Sequence, residues 1–450
     1  MAEQKPIHVV VLGAGFGGLE FCKHFRHPQA RITVVDRTNH YLFQPLLYQV
    51  ATCGLSAPDV AQPIRGILSG REDITVLFDK VADLNLSAKQ VMLSCNVLKY
   101  DYLVMALGSQ TGYFGHPEWE RYAPGLKTLD DALRIRSQVL LAYERAEGTI
   151  DVADDERLMT TVVIGGGPTG VEMAGALAEL ARTVLARDFR RIDPSKARTI
   201  LIEGSPEVLS HLPPDLSRSA TRQLRELGVI VKTATRVKDI REGEVCLDSG
   251  ETIRAANIIW AAGVAANPLT RKLGVPLDKA GRVKVNPDLS LPGFAEAFAV
   301  GDMALVLQDD GKPVPGVSPA AMQMGRHVAR LIREDIDKGA ERPGRGAFRY
   351  RDKGTMATIG RSAAVAWIGK FKFSGLLAWL AWLFVHLIFL IGFRNKIAVL
   401  FQWGYSYFAF KRSARLITYM PQETGIALES STGGGVAREE RVPEHAANRD

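Results

Sequence analysis

Ile7-His8-Val9-Val10-Val11-Leu12-Gly13-Ala14-Gly15-Phe16-Gly17-Gly18, close to the start of the chain, decides how the rest is read. Ile7 to Leu12 predicts an apolar strand. The glycine run predicts a turn, and a helix-like segment then leads to a second strand, Arg31 to Val35, which closes on Asp36. In a βαβ dinucleotide-binding unit the first glycine makes a tight turn, the second lets backbone approach a pyrophosphate, and the third lets helix and strand pack closely. The helix N-terminus then presents unpaired N–H groups to the phosphates. An acid about 20 positions downstream, here Asp36, can accept hydrogen bonds from a ribose. A glycine turn alone is a weak sign, but strand, turn, helix, strand and acid follow one another here.

The pattern recurs. Met159 to Ile164 predicts a strand, and Gly165-Gly166-Gly167-Pro168-Thr169-Gly170 repeats the spacing at Gly165, Gly167 and Gly170. An alanine-rich helix, a charged insertion around Asp188 to Lys196 and the strand Thr199 to Ile202 follow, ending in Glu203. An acid there favours NADH over NADPH, whose extra phosphate it repels. Two dinucleotide sites in one chain imply two cofactors that must meet. The fold class expected is α/β, with two Rossmann-like dinucleotide-binding domains and a C-terminal helical membrane-anchoring region.

Around these units lie smaller signals. Asn39 to Ala51 is an aromatic and apolar loop, interrupted by Pro45, that suits either the wall of a flat ring system or core packing. Tyr100 to Ser109 reads as a buried strand running into a small-residue turn at Gly108. The polar stretch Ala146 to Arg157 reads as a separator between the two units. Two more small-residue turns end at Gly263 and at Gly301-Asp302. The Asp302 carboxylate suits a sugar-like chain, or else a helix N-cap. The helix after Pro319 carries Gln323 and an apolar face suited to packing against a cofactor domain.

Bulk properties narrow the class. A chain of 450 residues suggests two or three domains, and 46% hydrophobic with 23% charged residues is globular composition. The net charge of +7 comes without interleaved arginine and aromatic patches, so nucleic acid is not an expected partner and a membrane surface is. Cys22, Cys53, Cys95 and Cys246 are far apart, which argues against a disulfide framework, a zinc site or an iron–sulfur cluster, and no metal is expected. The first strand begins too near Met1 for a signal peptide, so the nucleotide-binding part is expected in the cytoplasm.

The C-terminal third changes character. Phe373 to Phe393 is almost continuously apolar, and as one helix at about 1.5 Å per residue it would reach about 30 Å, enough to cross a bilayer. A second run, Ile397 to Phe410, is too short to cross. Basic residues flank both runs on both sides (Lys370, Lys372, Arg394, Lys396, Lys411, Arg412, Arg415), so a single span would set one cluster against the positive-inside bias. Lying in the interface costs less. A buried interdomain helix is the alternative. The tail, 426–450, predicts disorder.

Taken together, these residues resemble the type II NADH dehydrogenases, non-proton-pumping NADH:quinone oxidoreductases of the two-dinucleotide-fold flavoprotein superfamily. The broad part of the likeness is the two glycine units, Ala106-Leu107-Gly108-Ser109 and Ala299-Val300-Gly301-Asp302. The narrower part is Phe43 to Ala51, Tyr350-Arg351-Asp352-Lys353-Gly354-Thr355-Met356-Ala357-Thr358-Ile359-Gly360 and the apolar C-terminal runs. The resemblance implies FAD in the first unit and NADH in the second, with a homodimer at the cytoplasmic face of a cell inner membrane, within a respiratory chain. It divides the chain into 1–157 (FAD domain, first part), 158–264 (NADH domain), 265–345 (FAD domain, second part) and 346–425 (membrane association).

By the same resemblance Gly13, Gly15, Gly17, Gly18 and Asp36 serve the ADP half of FAD and Asp302 its ribityl chain, with Pro45, Gly108 and Gly301 nearby. Gly165, Gly167, Gly170, Glu203 and Gly263 serve NADH. Glu172 is the candidate proton relay or ring-positioning residue, with a helix-dipole role as its plain alternative. Lys353 is a candidate for stabilising anionic reduced flavin, or a surface charge. Family members carry Ala-Gln-x-Ala-x-Gln at the quinone site; here Ser318-Pro319-Ala320-Ala321-Met322-Gln323 keeps Gln323 and replaces the first glutamine by Pro319. The expected reaction is hydride transfer from NADH to flavin N5, then two-electron reduction of ubiquinone or menaquinone. A sulfide:quinone or disulfide-type reductase would need paired cysteines near the flavin, and a non-catalytic redox sensor is the alternative outside enzymes.

Overall fold

A computed structural model describes residues 5–149, 152–338, 344–409 and 414–419. In chain order, β1 (Ile7–Leu12), α1 (Phe16–His24), β2 (Ala30–Asp36), β3 (Ile74–Phe78), β4 (Tyr102–Met105), β5 (Ser109–Thr111), α2 (Leu129–Gly148) and α3 (Val152–Leu158) form the first stretch. The second unit follows as β6 (Thr160–Ile164), α4 (Pro168–Glu179), β7 (Arg198–Ile202), α5 (Pro214–Glu226), β8 (Val229–Lys232), β9 (Asn257–Trp260) and β10 (Val264–Ala266). The chain then returns through β11 (Ser290–Leu291), β12 (Phe294–Ala299) and α6 (Ser318–Lys338), and ends in β13 (Thr355–Gly360), β14 (Ala363–Ile368), β15 (Phe371–Ser374), α7 (Leu376–Phe389) and α8 (Phe393–Ala409).

Two parallel sheets organise it. The first has order β11-β12-β4-β1-β2-β3, parallel except for the β11–β12 pair, and the second has order β8-β7-β6-β9. Parallel strands need cover on both faces, and Val9 to Leu12 are accordingly fully buried. Residues 290–299, distant in sequence, supply β11 and β12 to the first sheet, so the second unit is an insertion into the first. α6 then lies on α1, so close that a Cβ on Gly325 would overlap the Gly17 carbonyl. The Arg326 guanidinium donates to the buried Glu20 carboxylate at 2.7 Å across that contact.

Ala146 to Arg157, between the two units, holds the end of α2, with Ala146 buried, and most of α3 (Val152–Leu158). One reading needs correction: Phe373 to Phe393 is not one long helix. Its first two residues finish the sheet strand β15, Gly375 turns the chain at φ +72, and α7 spans 14 residues before Leu390 leaves helical geometry. Fourteen residues reach about 21 Å. Among the described residues no helix is long and apolar enough to cross a membrane.

α7 is two-sided instead. Ala378 and Trp382 are buried, while Leu377 is 71% and Phe384 66% exposed. Polar anchors fix the C-terminal pair: Gln62 donates to the Ile391 carbonyl (2.7 Å), Asn395 to the Pro58 carbonyl (2.8 Å) and the Trp403 indole to Gln49 (2.8 Å). The expected tail, 426–450, lies outside the described residues, as do Lys411 and Arg412.

Candidate active site

Both glycine turns have a shape set by what a side chain would meet. Gly13 and Gly165 take φ +94 and +110 beside backbone of Ala106 and Ala261, so only glycine fits. Gly15 and Gly167 have nothing within 4 Å, leaving the backbone open to a ligand. A Cβ on Gly18 or Gly170 would overlap the carbonyl oxygen of Gly13 or Gly165, which is how helix and strand come together. This division of labour fits a bound diphosphate at both turns.

The two acids act alike. Asp36 accepts from the Ala14 N–H at 2.7 Å and from the Thr38 N–H and hydroxyl at 2.8 Å. Glu203 accepts from the Gly166 N–H at 2.5 Å and from the Ser205 N–H at 2.6 Å. Each carboxylate thus clasps the residue after the turn's first glycine, and lone pairs remain for a ribose. Gly17 has a packing role, beneath Val300 and the Ala321 carbonyl, and Gly263, at φ +82, packs against the Gly112 carbonyl.

Strand order places the rest. β2 and Asp36 lie on one side of β1, and β4 and β12 on the other, so a ligand centred on the Gly13 turn runs from Asp36 toward the ends of β4 and β12. Gly108 (φ +66) and Gly301 (φ +73) follow those strand ends. Asp302 has no capping hydrogen bond and accepts instead from the Ser109 hydroxyl at 2.8 Å. Lys127, which sequence reading passed over, donates to that same hydroxyl at 3.3 Å and lines the cavity with Asp302. Its only sequence signal is a place just before the Thr128–Asp131 capping box of α2.

Glu172 sits in the second turn of α4, beyond reach of the N-terminal dipole, so the helix-dipole alternative does not hold. The half-buried residue lines a cavity with Tyr48, Thr358, Trp382 and Trp403. Burial pushes its pKa up to about 8, against the opposing effects of the Thr358 backbone N–H and the Trp382 indole. On Trp382 the half-buried His386 stacks at 4.0 Å, and burial lowers its pKa to about 4, so it is neutral at pH 7. The aromatic loop links this region to the first unit: Phe43 meets Phe16 and His386 at centroid distances of 6.0 and 6.3 Å, and Tyr48 meets Trp382 at 6.3 Å. Pro45 lies in the single 3-10 turn Gln44–Leu46 of that loop.

Gln323 uses one N–H and one lone pair of its amide on the backbone, leaving one of each. It donates to the Arg351 carbonyl and accepts from the Arg351 N–H, both at 3.0 Å. It thereby fixes the segment that bears Lys353, which is exposed on a turn where the Gly354 N–H meets the Asp352 carboxylate at 2.9 Å. Pro319 lies in the first turn of α6, where a missing N–H costs nothing. A groove of about 530 Å³, lined by Phe16, Tyr41, Met322, Ile391 and Lys396 among others, runs from α1 and α6 to the α7–α8 connection. Among the described residues no cysteine lines this groove, the Glu172 cavity or the cavity at Asp302.

Comparison with known proteins agrees with this architecture. The profile of the pyridine nucleotide-disulphide oxidoreductase family matches residues 7–325, and that of the NDH2 C-terminal domain matches residues 353–412. The type II NADH:quinone oxidoreductase NdhA of Mycobacterium tuberculosis is 42% identical over 97% of this chain and 95% of its own. Ndh of the same organism, also a type II NADH:quinone oxidoreductase, is 42% identical over 91% of this chain and 90% of its own. A structure of NDH2 from Plasmodium falciparum in complex with NADH shares the fold at TM-score 0.84 and 19% identity, over 92% of this chain and all of that one. The chain belongs to the type II NADH:quinone oxidoreductase family.

Proposed function

We infer that this chain passes two electrons from NADH to a membrane quinone through FAD, without pumping protons. The observation that carries the reading is duplication: two turns of one geometry, each with an open second glycine and an acid clasping the loop, in a single chain. FAD, when bound, would supply the redox chemistry between NADH and quinone. The first turn, continuous with Ser109 and Asp302, is assigned to FAD, and the second, ending in Glu203, to NADH. Glu172 keeps its proton at neutral pH and is assigned to proton delivery. The groove beside Met322 is assigned to quinone, because it opens next to the exposed apolar side of α7 and borders the 318–323 segment. Lys353 is assigned to the flavin's electron-rich state through the turn that Gln323 holds.

The test mixes purified protein, NADH and a soluble quinone analogue, and follows absorbance at the nicotinamide band. Quinone-dependent loss of NADH is expected. NADH left unconsumed sinks the reading.

Membrane association is assigned to the exposed face of α7 and α8, flanked by Lys370, Lys372, Arg394 and Lys396, lying in the headgroup region of the cytoplasmic face. A Leu377→Glu/Phe384→Glu protein should keep its flavin yet fail to sediment with anionic vesicles. Each lost apolar contact is worth about 1.5–3 kcal/mol, so unchanged sedimentation rejects this face. A homodimer, implied by the family resemblance, is checked by the mass of the detergent-solubilised holoenzyme.

A further inference from the structure

The cavity at the ends of β4 and β12 is walled by two cations, Lys127 and Arg282. Arg282 is committed, since its guanidinium meets the Asp278 carboxylate at 2.8 Å. Lys127 is not. Of its three ammonium donors, one reaches the Ser109 hydroxyl at 3.3 Å, and that hydroxyl donates onward to Asp302 at 2.8 Å. An ammonium largely withdrawn from water with donors to spare is costly unless an anionic or electron-rich group meets it. Burial lowers its pKa, and Asp302 opposes that shift.

The residue is also held where it is. The Lys127 and Thr128 N–H groups both donate to the Asp131 carboxylate, at 3.0 and 2.8 Å, and the Asp131 N–H returns a bond to the Thr128 hydroxyl at 3.1 Å. Two residues earlier Gly125 bridges to Trp260 of β9. From that base the side chain reaches the Ser109 hydroxyl and the cavity beside it.

We propose that Lys127 is a positioning residue for the flavin half of FAD: through Ser109 it orients the Asp302 carboxylate toward the ribityl chain, and its ammonium supplies the uncommitted positive charge of that cavity. This rests on the assignment of FAD to the first turn. A positive charge on the wall favours the more electron-rich reduced cofactor, so Lys127 raises the flavin's reduction potential. Ser109 transmits the orientation and carries no charge, so the two effects separate by residue.

The experiment compares full-length holoenzyme of the wild type, Lys127→Met, Lys127→Arg and Ser109→Ala. It reads FAD dissociation by equilibrium dialysis and the midpoint potential by dye-coupled titration, with melting in excess FAD as the check on folding. Lys127→Met should release FAD at least tenfold more readily and lower the two-electron potential by about 30 mV, the equivalent of a tenfold change. Lys127→Arg should restore the potential, and Ser109→Ala should weaken FAD while leaving the potential in place. Lys127→Gln gives the same readings should methionine prevent folding. FAD affinity and potential both unchanged without the lysine charge would overturn the proposal, as would a lowered potential that arginine does not rescue. Wild-type protein that retains no FAD rejects the FAD assignment itself, a result distinct from either.

Discussion

The two glycine turns are alike down to single hydrogen bonds, and they differ in what covers the helix behind each. α1 lies under α6, with Gly325 pressed on the Gly17 carbonyl. α4 lies under β13, where a Cβ on Gly175 would overlap the Ile359 carbonyl. The first cover follows from the chain's return to the first sheet, which brings Gly301 and Asp302 to the β1 turn. The second sets Thr358 and the aromatic C-terminal region against Glu172. Turn chemistry therefore determines that a diphosphate can be held, while the cover determines which groups surround the rest of the ligand.

The strongest way to break the likeness is at the open glycines. Gly15 and Gly167 have extended backbone at φ −72 and empty space where a side chain would go, so valine should leave the protein fold intact. Gly15→Val is expected to purify without flavin and to lose all quinone-dependent NADH oxidation. Gly167→Val should stay yellow and show KM for NADH raised by about tenfold or more, a loss of at least about 1.4 kcal/mol of binding. Absorbance spectra and steady-state kinetics check both, and a yellow Gly15→Val beside a colourless Gly167→Val would exchange the two assignments. Gly18→Ala and Gly170→Ala act differently, since a Cβ there meets backbone; each should cost about 1–3 kcal/mol of stability in thermal melts.

Much of this was legible in the chain because the glycine turn is local: spacing, strand and acid lie within a few dozen residues. Asp36 and Glu203 could be picked out in that way, although their clasp on Ala14 and Gly166 could not, because a hydrogen bond back across the turn leaves no mark on the spacing. Lys127 was illegible for a different reason. Its partner Ser109 reaches Asp302 only after β4 and β12, nearly two hundred residues apart, become neighbours in one sheet. The C-terminal reading failed where composition outran geometry. An apolar run has no inherent secondary structure, and pairing of Phe371–Ser374 with β14 took its first residues away from the helix. Gln323 could be named from its motif, but that its amide would close on Arg351 was set by the fold.

A smaller effect tests what the second cover does to Glu172. With its pKa raised to about 8 in the folded protein from an ordinary value near 4.5, the folded state binds the proton more tightly than the unfolded chain. Folding stability therefore falls as pH rises from about 4.5 to 8 and levels off above, by an amount on the order of a few kcal/mol. Glu172→Gln removes the titration, so its melting temperature should exceed that of the wild type by more at pH 9 than at pH 5. The same variant should lower quinone-dependent turnover by about tenfold to a hundredfold, within the range for loss of a proton donor, and flatten the decline of activity above pH 8. Equal pH profiles for the two proteins would leave Glu172 a packing residue.

The smallest expected effects lie in the two acids, and they sharpen the likeness rather than break it. Asp36→Asn keeps one side-chain carbonyl to accept from Ala14 or Thr38, and Glu203→Gln keeps one for Gly166 or Ser205, so both loops should hold. What each loses is a charge-assisted acceptor for a ribose, worth about 1.5–3 kcal/mol at most and less with partial replacement by water. Asp36→Asn should weaken FAD about tenfold with KM for NADH unchanged, and Glu203→Gln should do the reverse. Glu203→Arg goes further by removing the repulsion of a 2′-phosphate, so the ratio of kcat/KM for NADPH to that for NADH should rise at least about tenfold. Because arginine cannot accept from the Gly166 and Ser205 N–H groups, part of that gain is lost in a loosened turn, and the absolute rate with NADPH should stay below the wild-type rate with NADH. An Asp36→Asn protein whose KM for NADH also rises would show that the two turns are coupled through their covers and do not act as independent copies.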